Sequence, residues 1–177
     1  MSNEPEWLTR KTRIDGRLRG LGGEIVPHTP FFKPVKARAQ AVAEYPTDNG
    51  PADYALFVNG RILGIIEAKK HSLGPQNVLV QAQRYSEGAA SNPLRFGPYR
   101  VPFLFASNGE VIWFHDVRSP LERSRRVADY LTPAALEERL ARDFDADAQK
   151  LLATPNDHPR LRPYQIDFAV LAGFVPL

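Results

Sequence analysis

The sequence predicts a mixed α/β domain, a central sheet flanked by helices, and three observations carry that expectation. Two stretches, "PADYALFVNGRILGIIEAKK" and "RVPFLFASNGEVIWFHD", each place an apolar run on either side of an Asn-Gly pair, the pattern of a β-hairpin. Segments with helical spacing precede, separate and follow the two hairpins. There is no internal repeat and no low-complexity tract, so a solenoid or fibre is not indicated.

The elements follow in order. Residues 4 to 21 read as a helix: Trp7, Leu8, Ile14, Leu18 and Leu21 lie near one stripe, Pro5 suits a helix start, and Gly22-Gly23 stop it. "EIVPHTPFFKPV" is broken by three prolines and reads as extended chain. "KARAQAVAEYPTDNGP" is Ala-rich without a decisive period and ends in a turn cluster before Asp53. After the first hairpin, Val78, Ala82, Tyr85 and Ala89 define an amphipathic helix. The second hairpin turns at Asn108-Gly109. Residues 132 to 152 restart a helix, with Thr132 as N-cap and Pro133 at the first helical position. "ATPNDHPRLRP" reads as a linker.

At 177 residues, 43% hydrophobic and 24% charged, the chain suits one compact domain with a short extension. No apolar run is long enough for a transmembrane helix, and "MSNEPEWLTRK" is charged where a signal peptide would be apolar. The absence of cysteine excludes disulfides and thiolate metal sites. A cytoplasmic protein without a membrane partner is expected. The formal net charge of +3 and a pI near 9.3 lean towards a polyanionic partner. Basic residues are concentrated: "RKTRIDGRLR" holds five in ten positions and "RSPLERSRR" four in nine.

Asp53 opens the first apolar run of the first hairpin, and Glu67 and Lys69 close the second. Charges beside such runs are costly unless compensated. Glu67 and Lys69 are two apart and share one face of a strand. A strict two-residue Asn-Gly turn pairs Val58 with Arg61 and sets Asp53 opposite Ile66, on the other face from Glu67. A three-residue loop with Gly60 as a glycine bulge pairs Phe57 with Arg61, and then Asp53, Ile65, Glu67 and Lys69 share one side. The bulged register is the expectation. Two carboxylates and an ammonium would then converge at the end of the sheet. Carboxylates a few Å apart repel, and a hard cation such as Mg²⁺ relieves this with oxygen ligands. Water of lowered pKa can attack a phosphodiester, and Lys69 can orient it or offset the charge developing on phosphate. The plain alternative is a surface ion pair of Glu67 with Lys69, with Asp53 merely ending a loop.

"PADY" followed by "EAKK" resembles the PD-(D/E)xK nuclease motif. It is most similar to the N-terminal endonuclease domain of type I restriction enzyme R subunits, the subunit that cleaves DNA and carries the translocase motor. Gln81 and Tyr85 in "QAQRY" match a Gln-x-x-x-Tyr element of that family and share a helix face. "EWLTRKTRIDGRL" resembles the family's first helix, which maps an additional metal-site acid onto Glu6 and its arginine onto Arg10. "RLRPYQ" looks like the start of a helicase-type motor, whose adenine-contacting glutamine maps onto Gln165. The resemblance implies a restriction-endonuclease-like fold and a Mg²⁺ held by Asp53, Glu67 and the Ala68 carbonyl. It gives Lys69 the attacking water and Gln81 and Tyr85 a supporting role. It also implies double-stranded DNA as substrate, with specificity and methyltransferase subunits as partners. On this reading residues 1–145 form the nuclease domain, 146–160 a helix end and linker, and 161–177 the start of a truncated motor. No Gly-x-x-x-x-Gly-Lys phosphate loop is present, so ATP is expected only for a missing motor. The rivals are a non-catalytic DNA-binding or assembly module with a degenerate nuclease fold, and a nuclease domain of another defence helicase. Ser107 and Asn108 are expected to be polar because their turn is exposed; His71, a lone histidine at a strand end, reads as a surface residue with a DNA contact or spare base as the alternative, and His28, His115 and His158 show no ligand spacing.

Overall fold

The computed structural model describes residue 8 and residues 10–69, 79–118 and 123–153. The chain divides into two compact units, Met1–Leu140 and Ala141–Leu177. The first contains seven strands joined in sequence order into one mixed sheet. They are β1 (Glu24–Pro27), β2 (Ala39–Thr47), β3 (Gly50–Val58), β4 (Arg61–Ala68), β5 (Phe103–Ser107), β6 (Ile112–Asp116) and β7 (Arg125–Val127). β1 runs parallel to β2 and β4 parallel to β5; the other neighbours are antiparallel. No described helix is long and apolar enough to cross a membrane.

The first helical segment is a π-helical turn, Arg10–Ile14, running directly into α1 (Asp15–Gly20). Its two terminal glycines have a definite task. Gly22 takes φ +84, its N–H bonds the Arg19 carbonyl and the Gly23 N–H bonds the Leu18 carbonyl, the double bond of a Schellman stop. Ile14 and Leu18 pack with Tyr54, Leu56, Ile66, Phe105 and Leu136 on one face of the sheet. On the other face α2 (Leu79–Glu87) lays Leu79, Ala82 and Tyr85 over Ala55, Ile65 and Leu104. Val78, expected on the same stripe, lies outside the described residues.

The Ala-rich segment is a nine-residue strand, held by β1 on one side and β3 on the other. The expected single helix over 132–152 is two. α3 (Pro133–Leu140) starts as predicted, with Thr132 Oγ1 accepting from Ala135 N at 3.2 Å, but its last carbonyls, Arg139 and Leu140, are taken by the Arg118 guanidinium. In the second unit α4 (Phe144–Ala153) begins anew because Asp143 Oδ1 caps the Ala146 N–H at 3.0 Å. Ser107 and Asn108 are buried, contrary to the exposed turn expected. Their polarity serves the turn itself: Ser107 Oγ accepts from Gly109 N, and Asn108 Oδ1 from the N–H groups of Glu110 and Val111.

The β3–β4 register also corrects the expectation. Asn59 and Gly60 both have positive φ and form a two-residue turn, so Val58 pairs with Arg61; Gly60 is not a bulge. The bulge lies further along, where Phe57 pairs with Ile62 but Leu56 with Gly64, leaving Leu63 as the extra residue. Asn92 secures that irregularity by accepting from Ile62 N and donating to Ile62 O. Gly64 makes room for Leu56 there, since a Cβ would meet Leu56 Cδ1 at 2.8 Å and push that side chain aside. One extra residue in β4 reverses the parity of everything beyond it. The ladder resumes through Ala55 with Ile65 and ends at Tyr54 with Ile66; counted one step further, Asp53 falls opposite Glu67, a pair the ladder does not include.

Candidate active site

Asp53 and Glu67 are buried near the ends of adjacent central strands, 9% and 3% exposed. Two apolar strands carry them there, and main-chain geometry holds them. Asp53 Oδ2 accepts a hydrogen bond from Ala68 N at 2.7 Å, which joins β3 to the segment bearing Glu67 and Lys69. Lys69 Nζ donates to Glu67 Oε1 at 2.7 Å, and Lys69 N is fixed to the Ser107 carbonyl at 2.8 Å. Asp53 on β3 is thus tied by its side chain to the β4 segment that carries Glu67 and leads into Lys69.

Arg10 approaches Asp53 from the π-helical turn, with Nη1 3.0 Å from Oδ1. The same nitrogen donates to Glu44 Oε1, and the guanidinium lies 5.2 Å from the Tyr54 ring centre. Burial works against the charged guanidinium, yet the hydrogen bonds to Glu44 and Tyr54 and the charge of Asp53 outweigh it and hold Arg10 above its ordinary range. Tyr54 in turn donates to Asp15 Oδ1 at 2.6 Å; its phenol is pushed above the usual tyrosine range, first by burial and then by that bond. Beside this network lies a cleft of about 350 Å³ lined in part by Arg10, Lys11, Asp15, Glu44 and Tyr54.

Gln81 and Tyr85 face each other one turn apart on α2, with Gln81 Nε2 donating to the Tyr85 hydroxyl at 2.7 Å. Glu6 and Gln165 lie outside the described residues, as does His71. Glu44 and Tyr54 belong to the network although the sequence reading passed over both. Tyr54 looked like part of an apolar run. Glu44 sits in the Ala-rich segment that has no decisive period.

Asp53, Glu67 and the main-chain carbonyl of Ala68 are hard oxygen donors, the set that Mg²⁺ takes while keeping several waters. Among the described residues no group of three or more His, Asp or Glu stands together as a metal cluster. Two acids and an ammonium are what the described part offers.

A family model described as the second domain of the type I restriction enzyme EcoKI endonuclease subunit matches residues 25–140. The type I restriction enzyme EcoKI endonuclease subunit of Escherichia coli (strain K12) is 25% identical over 203 residues, an alignment covering 87% of this chain and 17% of that protein. Among solved structures, a fragment assigned as an HsdR subunit of a type I restriction enzyme from Vibrio vulnificus YJ016 superposes with a TM-score of 0.57 at 20% identity. That match covers 96% of this chain and 33% of the other. The chain thus spans about a sixth of the curated relative and a third of the structural one.

Proposed function

The chain belongs to the family of the type I restriction enzyme endonuclease subunit second domain, and from that premise we propose that it is the DNA-cleaving part of such a subunit, hydrolysing phosphodiesters with Mg²⁺. The observation that carries this reading is the Asp53–Ala68 bond, which draws one acid onto the strand segment that holds the other acid and the lysine. Asp53 and Glu67 would hold the cation, with the Ala68 carbonyl as a further donor. When bound, the metal supplies charge neutralisation at the phosphate and a water acidic enough to act as nucleophile. Lys69, kept beside Glu67 by its 2.7 Å bond, orients that water and offsets the charge that grows on the phosphate oxygens. The Gln81–Tyr85 pair stiffens the face of α2 that packs on the sheet. Double-stranded DNA is the proposed substrate, and specificity is delegated to other subunits of the complex, since the exposed arginines suit phosphates rather than base edges.

A second reading has an observation of its own. Asp53 and Glu67 each carry a basic partner, Arg10 and Lys69, which also suits a degenerate site that only binds DNA. Plasmid DNA incubated with Mg²⁺ separates the two. Nicking that Asp53→Asn and Glu67→Gln abolish is the expected result. DNA binding without any nicking, or nicking that survives both substitutions, overturns the catalytic assignment.

A further inference from the structure

Resting on the metal reading above, we infer that Glu44 is a positioning residue for the site: it grips Arg10 and offsets its charge, so that the site keeps the net negative charge a divalent cation needs beside Asp53. Three observations converge on it. The β2–β3 ladder pairs Ala43 with Tyr54 and Tyr45 with Ala52, but it omits the one pair between them, Glu44 with Asp53. Glu44 has φ +53, the left-handed region that costs a non-glycine residue free energy, and only one other described non-glycine residue, the turn residue Asn59, shares it. The two residues released from the ladder bind the same guanidinium, Arg10 Nη1 reaching both Glu44 Oε1 and Asp53 Oδ1.

The backbone consequence is visible in the packing. Val42 and Tyr45, three apart, lie in the same core layer, whereas an unbroken strand would place them on opposite faces. The twist at Glu44 therefore reverses the faces of β2 and frees both Glu44 and Asp53 to turn towards Arg10. A glycine would meet that backbone demand more comfortably, so the carboxylate has to be accounted for by what it holds.

Charge arithmetic gives the role. Arg10 alone against Asp53 would cancel the charge a cation needs. With Glu44 on the same guanidinium, the trio Glu44, Arg10 and Asp53 keeps one net negative charge beside Glu67. Glu44 is 57% exposed at its side chain, so its effect is that of a half-solvated pair rather than a buried ligand.

Isothermal titration with Mn²⁺ on the whole chain tests this. Glu44→Gln is expected to weaken Mn²⁺ binding about fivefold, the upper range for a solvated ion pair. In an Arg10→Gln background the same change is expected to do nothing further, because Glu44 acts through Arg10. An equal loss in both backgrounds, or no loss in either, overturns the inference: the first makes Glu44 a direct ligand, the second a bystander. Glu44→Gly, which suits the left-handed backbone, must repeat the Glu44→Gln result, and this separates lost charge from lost folding. Asp53→Asn reports on the underlying reading by itself. If it leaves Mn²⁺ affinity intact, the metal assignment fails whatever Glu44 does.

Discussion

The sheet carries two buried acid clusters, and they are built in opposite ways. Asp116, at the end of β6, is fully buried, and its oxygens are taken by a fork of arginines. Arg118 Nε and Nη2 and Arg139 Nε all lie at 2.9 Å, and the Arg118 N–H adds a fourth contact. Both guanidiniums stack on the core, Arg118 over Phe103 and Arg139 over Phe114, and Arg118 goes on to cap the carbonyls ending α3. Arg118 lies two residues past β6 and Arg139 on α3, and each guanidinium is seated on a core ring. At Asp53 and Glu67 the partners are Arg10 from a short π-helical turn and Lys69 from the residue after a strand, and Arg10 is shared with an exposed glutamate. The first cluster is closed and bidentate, and its chemistry is spent on joining a helix to a sheet. The second is assembled around an arginine that Asp53 shares with Glu44, and Arg10 and Glu44 border a cleft.

The widest separation between the two comes from deleting the acids. Asp116→Ala strands two arginines in the core and is expected to cost about 3–5 kcal/mol of stability in urea unfolding. Asp53→Asn, which retains the acceptor for Ala68 N, is expected to stay within about 1 kcal/mol of the parent while losing cleavage. If Asp53→Asn proves the more destabilising, the contrast of closed and open clusters is wrong.

Lys69→Ala sharpens the open side. Cleavage is expected to fall by about 10²–10³, as for loss of a group that meets transition-state charge, with Mn²⁺ affinity by titration nearly unchanged. Collapse of metal affinity would reassign the lysine to holding Glu67.

The phenols give a smaller signal. Burial raises both Tyr54 and Tyr130, so in the folded chain they stay protonated beyond the ordinary tyrosine pKa of about 10. Above that pH the unfolded state releases protons the folded state keeps, and stability must decline as pH rises. Absorbance at alkaline pH should show these two tyrosines ionising only with unfolding. Tyr54→Phe should remove one from the lagging group.

The smallest effect concerns DNA. With roughly four phosphate contacts, binding should weaken about a hundredfold between 50 and 200 mM salt. Arg126, exposed on β7, should contribute, so Arg126→Ala flattens the salt slope by about 0.9. Arg118, locked on Asp116, should contribute nothing, and Arg118→Lys is expected to leave the slope unchanged.

Period-two patterning and the Asn-Gly pairs made the two hairpins readable, because alternation and turn chemistry are local properties. The register was not local. It depends on a bulge at Leu63, beside which Asn92 bonds both the N–H and the carbonyl of Ile62, thirty residues earlier in sequence. β2 escaped notice because alanine has little strand preference of its own, and pairing on both edges overrides it. β7 was hidden by its arginines, which suggested a solvated loop. The helix expected over 132–152 was broken by Arg118, from the turn after β6, and by a local aspartate cap. Glu44 could not be found from a single sequence, since its significance lies in a φ angle and a shared partner.

Both hairpins turn on Asn-Gly, a dipeptide that ages chemically when the glycine nitrogen attacks the asparagine amide and releases ammonia. Here that nitrogen is occupied at each turn: Gly60 N–H is held by the Ala37 carbonyl at 2.8 Å and Gly109 N–H by Ser107 Oγ at 3.0 Å. The Asn59 amide is itself tied to Glu137 at 2.9 Å. Were Asn59 to deamidate, the new carboxylate would face that glutamate and repel it. The turn that joins β3 to β4 is thus protected against slow chemical damage while the chain is folded, and it loses that protection each time the chain opens.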